Sequence, residues 1–523
     1  MSPAASSLPV ALGGCPKAAV NRPQSRRFAL ADDAGVSRSV WTAAALAPLF
    51  LLARPLAAAE SERCVYAAVS SQTALLPRKR SVPVGRVRML LVAADSLVFV
   101  LSRLTSSPTL EPMPPTVYFD YNATTPLDPA VRAAMLPFLG EFWGNPSSVH
   151  HVGRKARALL DDARDRAAKF LGAKPSEIIF TGGGTEANNL AIFGTARALK
   201  PKGKHLITSA IEHHAVLQCF DYLETHEGFS VTRLPVNSDG RVSVDDLKQA
   251  IRADTILVSI MAANNEIGTL QPVAELGAVC RARGIIFHTD AVQMFGKEPF
   301  TNISQFNADL VSVCAHKFHG PKGAGLLYIK SPLHPDPIMF GGGHENERRA
   351  GTENLAAIIG LVAALEKFVK PPVFSGTGVP PVESGSGSEI THSPAATGQA
   401  GRLSHCCRLQ PLVEKLICCV EKIPGCELVS PRENSLANTV SFVVRGSDGI
   451  ALMAGLDMEG ICASSGSACS AGSLEPSHVI LAIGKKEAAN SLVRFSLGRD
   501  STAEEVDFVC AILPEIIRRA QRA

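Results

Sequence analysis

Between residues 116 and 370, short apolar runs alternate with longer segments whose apolar positions recur at helical spacing. EIIFTGG, TILVSIM, GIIFHTD, DLVSVCA and AGLLYI are rich in β-branched residues and punctuated by Gly, Asp or Asn, which predicts strands. Among them, RKARALLDDARDRAAKFL and VAELGAVCRARG place apolar residues on one face and charges on the other, which predicts amphipathic helices. Strands that are apolar throughout and separated by helices predict βαβ units in a mostly parallel, helix-covered sheet. VYFDYNATTP, ahead of the first helix, reads as strand-like. Beyond residue 401 the helical LQPLVEKLICCVEKI, the strand NTVSFVV and the helical AEEVDFVCAILPEIIRRAQ predict a smaller α/β domain. The expected fold class is therefore α/β, with a large sheet domain and a smaller one.

Two segments break this pattern. Residues 371–401 are rich in Pro, Gly, Ser and Thr and hold almost nothing apolar to bury, so they read as a disordered surface insertion that deletion leaves functionally silent. Residues 1–112 read as an extension with little periodicity. Within it, residues 40–53 are uncharged and mostly apolar, preceded by Arg26, Arg27 and Arg38 and followed by Ala57, Ala58 and Ala59. That order resembles a signal peptide, and the run is short for a membrane span. The alternative is a translation start at Met113, four residues before VYFDYNATTP, and this reading is favoured because targeting patterns arise easily by chance. The organisation expected is an extension (1–112), an arm joining the small domain (113–125), a large domain (126–370), the insertion (371–401) and a small domain (402–523).

Charge and cysteine content narrow the function classes. The formal net charge is +4, but residues 1–112 hold 13 Lys and Arg against 6 Asp and Glu, leaving 39 against 42 elsewhere. A slightly acidic globular part argues against a nucleic-acid surface. Thirteen scattered cysteines form no disulfide framework. Adjacent pairs such as Cys406-Cys407 and Cys418-Cys419 lack metal-ligand spacing, and no C-x-x-C occurs. Reduced thiols and a cytoplasmic enzyme, free of membrane, are the expectation.

The candidate chemistry lies at strand ends. DLVSVCAHKFHGPKGAG ends an apolar run with Lys317 and a glycine-rich turn, and ligands in open α/β sheets bind at such ends. A lysine there forms a Schiff base with an aldehyde cofactor when its surroundings favour the free amine; the plain alternative is a solvated surface lysine. GIIFHTDAVQ ends in Asp290, 27 residues earlier. A carboxylate there suits a protonated pyridine nitrogen, although helix N-capping is an ordinary use for Asp. Gln293, one turn on, is spaced to reach a ring oxygen. TGGGTEANN joins a strand end to a helix start, so Gly184 and Thr185 offer N–H groups to a phosphate, and the absence of G-K-[ST] disfavours a nucleotide. In IEHHAV either His213 or His214 could stack on a heterocycle and move protons. Cys469 lies in SSGSACSAGSLEPS, where small residues give little to anchor, so it reads as an exposed, mobile thiol or an incidental surface cysteine.

Together these motifs resemble the group I cysteine desulfurases, the NifS/IscS type within the class V aminotransferase fold family. The resemblance spans residues 117 to the C-terminus apart from 371–401. It rests on DYNATTP, GNPSS-x-H, TEANNLAI, EHHAV, NNEIG, HTDAVQ, AHKFHGPKG, GGGHENERRAGTEN, SSGSACS and VRFSLGR in that order. It implies the fold type I of pyridoxal 5'-phosphate (PLP) enzymes, with Lys317 holding PLP. Asp290 and Gln293 match the partners of the ring nitrogen and phenolic oxygen. His213 matches the ring-stacking acid/base, and Asn265 the asparagine near the cofactor. Gly184, Thr185, His316 and Thr352 match phosphate contacts, with Thr352 reaching across a homodimer interface. Arg494 matches the arginine that pairs with the carboxylate of the substrate, L-cysteine. Cys469 matches the persulfide-forming cysteine, and a transient iron–sulfur ligand shared with a scaffold. Cys314 stands where many relatives carry a phosphate-binding serine, and a thiol is the weaker donor. The implied activity releases L-alanine and passes sulfur to an iron–sulfur scaffold or another acceptor protein; a selenocysteine lyase or a sulfinate-removing enzyme shares the same cofactor site.

Overall fold

The computed structural model describes residues 116–369, 405–466 and 476–522. Residues 1–115, the whole 371–401 insertion and Cys469 lie outside the described residues. The chain enters through β1 (Val117–Tyr118). Seven strands then build the large sheet: β2 (Ile178–Thr181), β3 (His205–Ser209), β4 (Ser230–Leu234), β5 (Thr255–Ser259), β6 (Ile286–Asp290), β7 (Leu310–Cys314) and β8 (Gly325–Ile329). Their spatial order is β2-β8-β7-β6-β5-β3-β4. β4, β3, β5, β6 and β7 pair in parallel, so the mostly parallel α/β sheet read from the alternating pattern is the one the chain forms.

β8 departs from the pattern, running antiparallel to both β7 and β2. The cause is the short connection between β7 and β8. A parallel return needs a crossover of about a dozen residues or more, usually helical, and the glycine-rich turn after Cys314 is shorter than that. The same turn carries Lys317.

Helices cover the sheet: α1 (His151–Leu171), α2 (Gly184–Asn189, continuing through a π turn into Thr195–Leu199), α3 (His214–His226) and α4 (Leu355–Phe368). α1 buries Ala156, Leu160, Ala163, Ala167 and Leu171 at the spacing read from the sequence. It begins three residues before RKAR because His150 Nδ1 caps the Gly153 N–H, and it ends at Gly172, whose φ of 69° suits a residue without Cβ.

A second sheet uses β9 (Cys426–Leu428), β10 (Thr439–Val444) and β12 (Leu492–Ser496), antiparallel in the order β12-β10-β9, with the short β11 (Ile461–Cys462) apart from it. α5 (His405–Glu421) and α6 (Ala503–Ala520) pack over it on a core that includes Phe119, Leu416, Phe442, Phe495 and Leu513. β1 pairs in parallel with β11, and Asp120 bridges Ser496. Of the strand-like VYFDYNATTP, only two residues form a strand, because the chain turns at Tyr121–Ala123 to enter the cleft between the two sheets. That turn brings backbone carbonyls to the site.

Candidate active site

The ends of β3, β5, β6 and β7, the start of α2, the turn after β1 and the strand β12 surround one cleft. Its cavity volume is about 170 Å³, and it is lined by Asn122, Ala123, Gly184, Thr185, Asn188, His213, Asn265, Asp290, Gln293, Cys314, His316, Lys317 and Arg494 among others. Register explains the convergence. Asp290 ends β6 and pairs with Ser312 on β7, so the loops carrying Asp290 and Lys317 leave neighbouring strands on the same edge.

Lys317 follows a single 3-10 turn, Ala315–Lys317, and its Nζ donates to the backbone carbonyls of Asn122 and Ala123 at 2.7 and 2.9 Å. The Asp290 carboxylate accepts the Asn188 amide at 2.6 Å and the Val292 N–H at 3.0 Å. Both donors fix the orientation of the carboxylate at the end of β6. Gln293 donates from Nε2 to the Asn122 carbonyl at 2.9 Å.

The structure separates the two histidines. His213 lines the cleft as N-cap of α3, its Nδ1 accepting the Ala215 N–H at 3.1 Å, which leaves Nε2 for chemistry. Burial, with Lys317, His214 and His478 against the opposing pull of Asp290, holds His213 below its ordinary pKa. His214 instead packs its ring against His478, centroids 5.0 Å apart. His316 bonds Thr124 Oγ1 at 3.1 Å, and burial beside Lys317 and Lys322 pushes it down to about 4. Cys314 is buried, which raises its thiol pKa, and donates to the Ala324 carbonyl at 3.9 Å.

Three features test whether PLP fits. Gly184 begins α2, and a Cβ there would stand 2.9 Å from Val292 Cγ2 and 3.4 Å from Cys314 Cβ, so the backbone approaches the cleft as only glycine allows. The first backbone bond of this helix runs from Ala187 N–H to Gly183 C=O, leaving N–H groups of its first turn for an anion. Asn188 Oδ1 and Arg494 Nε are buried without a partner among the described residues, although both side chains line the cleft. Arg494 is otherwise held firmly: it donates to the Asn265 carbonyl and to Asp120 Oδ1, each at 2.7 Å. An anion donor, a carboxylate and a lysine lining one cleft suit a phosphorylated pyridine aldehyde.

Thr352 is not brought into this cleft within one chain. It lines a separate cleft with Glu345, Arg349 and Glu353. Cys469 lies outside the described residues, and the segments on either side of 467–475 are held by hydrogen bonds. Ser464 exchanges backbone bonds with Arg494 on one side; on the other, Ser477 donates to Glu266 Oε2 at 2.6 Å and His478 meets the Glu212 carbonyl at 2.9 Å. Sequence reasoning missed Asn122, Asn188, Glu212 and Lys297. Asn188 left a signal, standing four residues after Gly184 and so on the same helical face. Asn122 sat inside a quoted motif without a role.

A parallel sheet with a lysine and a carboxylate at adjacent strand ends, closed by a second sheet bearing an arginine, defines an α/β enzyme of the PLP-dependent kind. Residues 117–370 and 407–509 match the class-V aminotransferase family. A cysteine desulfurase IscS of Dictyoglomus turgidum is 46% identical over 405 residues, covering 77% of this chain and 95% of the relative. A solved NifS-like protein superposes with a TM-score of 0.66 at 35% identity, over 77% of this chain and 100% of its own. SspA, solved in complex with cysteine, superposes with a TM-score of 0.60 at 35% identity, over 74% and 100%. The chain belongs to the class-V aminotransferase family and, within it, to the PLP-dependent cysteine desulfurases. Among the described residues no helix is long and apolar enough to cross a membrane.

Proposed function

We propose that this chain converts L-cysteine to L-alanine in the cleft around Lys317, and that Cys469 takes the sulfur as a persulfide. The observation that carries the proposal is the convergence of Lys317, Asp290, His213 and Arg494 on one cleft. Lys317 holds PLP, Asp290 faces its ring nitrogen, and Gln293 its phenolic oxygen. Gly184, Thr185, Cys314 and His316 hold its phosphate, joined in a homodimer by the partner subunit's Thr352. Bound there, PLP supplies an electron sink for the substrate's α-carbon.

The chain's own groups then divide the work. Arg494 receives the substrate carboxylate at its unpaired Nε edge, while Asp120 and the Asn265 carbonyl fix the guanidinium plane. Lys317 and His213 carry the α-proton, with Nε2 as the working atom of His213. The Cys469 thiolate attacks the substrate sulfur, as in thiol–disulfide exchange. The substrate's Cβ–S bond breaks, the S–S bond of the persulfide forms, and a proton delivered to the β-carbon leaves alanine. An iron–sulfur scaffold or another acceptor protein in the cytoplasm then takes the outer sulfur, with Cys469 as the ligand shared with a scaffold during transfer.

Alkylation after one turnover, followed by peptide mapping, tests the sulfur step. The label should report a persulfide on Cys469, and Cys469→Ala should bind PLP yet release no alanine over repeated turnovers. A persulfide on Cys314 or Cys462 with an active Cys469→Ala would overturn the assignment in favour of lyase-type chemistry.

A further inference from the structure

Lys297 is 5% exposed and does not line the cleft, yet it stands directly behind it. Its Nζ donates to Asn122 Oδ1 at 2.6 Å and to Gln293 Oε1 at short range. Burying an amine is costly unless its hydrogens are used, so a lysine kept here has a purpose beyond filling space. Burial, reinforced by Lys317 and Arg494, holds its pKa well below the ordinary value. The bonds do not depend on its charge, because an amine has two hydrogens to donate whether or not it is protonated.

The consequence falls on the Gln293 amide. With Oε1 turned to a donor behind the cleft, Nε2 must face the other way, where it meets the Asn122 carbonyl at 2.9 Å. That same carbonyl receives Lys317 Nζ at 2.7 Å. The Asn122 side chain is fixed from further sides, by Asn438 Nδ2 on its oxygen and Thr439 Oγ1 on its nitrogen. One buried amine thus sets the orientation of a cleft amide and braces the turn that receives the lysine.

We propose that Lys297 is a positioning residue for the cofactor cleft: it keeps the Gln293 amide nitrogen turned toward the cleft and holds Asn122 under Lys317. This rests on the reading that Lys317 and Gln293 hold PLP. Without Lys297, Gln293 Oε1 loses this donor, and the amide's orientation rests on its bond to the less firmly braced Asn122 turn.

The test compares the parent, Lys297→Met, Gln293→Leu, the double variant and Lys297→Arg. It reads the PLP dissociation constant of the apo protein, the absorbance maximum of bound PLP and the apo melting temperature. A parent that fails to bind PLP refutes the underlying site assignment, whatever Lys297 does. With the parent bound, Lys297→Met should weaken PLP binding about 10-fold and displace the absorbance maximum in the same direction as Gln293→Leu. The double variant should be within about twofold of Gln293→Leu, since the two residues act as one unit. Lys297→Arg, which restores a donor, should recover the parent's maximum. Parent-like affinity and absorbance in Lys297→Met, or losses that multiply in the double variant, overturn the proposal. Where Lys297→Met lowers the apo melting temperature too far to purify, Lys297→Gln keeps one donor and carries the same comparison.

Discussion

Asn188→Leu isolates a contact that the cleft cannot do without. Asn188 is 1% exposed, and its amide nitrogen donates to Asp290 Oδ2 at 2.6 Å. Leucine has a similar volume and removes both this donor and the buried Oδ1 that lacks a partner. Packing should therefore survive, and the loss should concentrate on Asp290. A hydrogen bond to an ionised group is worth about 1.5–3 kcal/mol, or roughly 10- to 150-fold in an equilibrium or rate constant. PLP affinity, read by titrating the apo protein at the visible absorbance, and alanine turnover should fall by that factor. Asn188→Asp should lose more, because it sets a second carboxylate beside Asp290 and the two cannot both ionise. A thermal melt of the apo protein separates this from general unfolding. If Asn188→Leu keeps PLP affinity and turnover within about twofold of the parent, Asp290 does not need this donor and the account of the ring-nitrogen partner is wrong.

Lys317→Ala should lose covalently held PLP, seen as loss of visible absorbance after denaturing filtration, together with turnover; a variant with normal activity removes Lys317 from the site. Arg494→Lys replaces a fork that spans Asp120 and the Asn265 carbonyl with a point donor, so KM for cysteine should rise about 10-fold or more while PLP absorbance stays. An unchanged KM would place the substrate carboxylate elsewhere. Glu212 gives a pH prediction. Fully buried, it accepts from Ser209 Oγ at 2.5 Å and the Met261 N–H at 3.0 Å, and burial pushes its carboxyl from 4.5 up to about 8. The folded state keeps a proton that the unfolded chain releases, so this group's contribution to stability falls as pH rises from about 4.5 to about 8. Urea unfolding at several pH values should show a shallower decline in Glu212→Gln than in the parent, and equal slopes would show that Glu212 ionises normally.

Much of this protein was legible one segment at a time. Apolar runs such as TILVSIM and DLVSVCA could only be buried strands, and their alternation with amphipathic helices led to the parallel sheet. Lys317 and Asp290 stood out because each ends such a run, where chemistry in open sheets is placed. What the local pattern could not supply was decided by contacts between residues distant in sequence. VYFDYNATTP yields to a turn at Tyr121–Ala123 because β1 pairs with β11 and Asp120 bridges Ser496, both far along the chain. His213 was told from His214 by its place on the cleft as the cap of α3, while the ring of His214 packs at a tilt against His478. Lys297 reads in sequence as one more solvated lysine, and nothing in its neighbours hints at burial. Only packing of the turn after β6 against Asn122, 175 residues away, turns it into a buried donor. Periodicity reports which face of an element avoids water; it carries no record of which polar groups meet once those faces close.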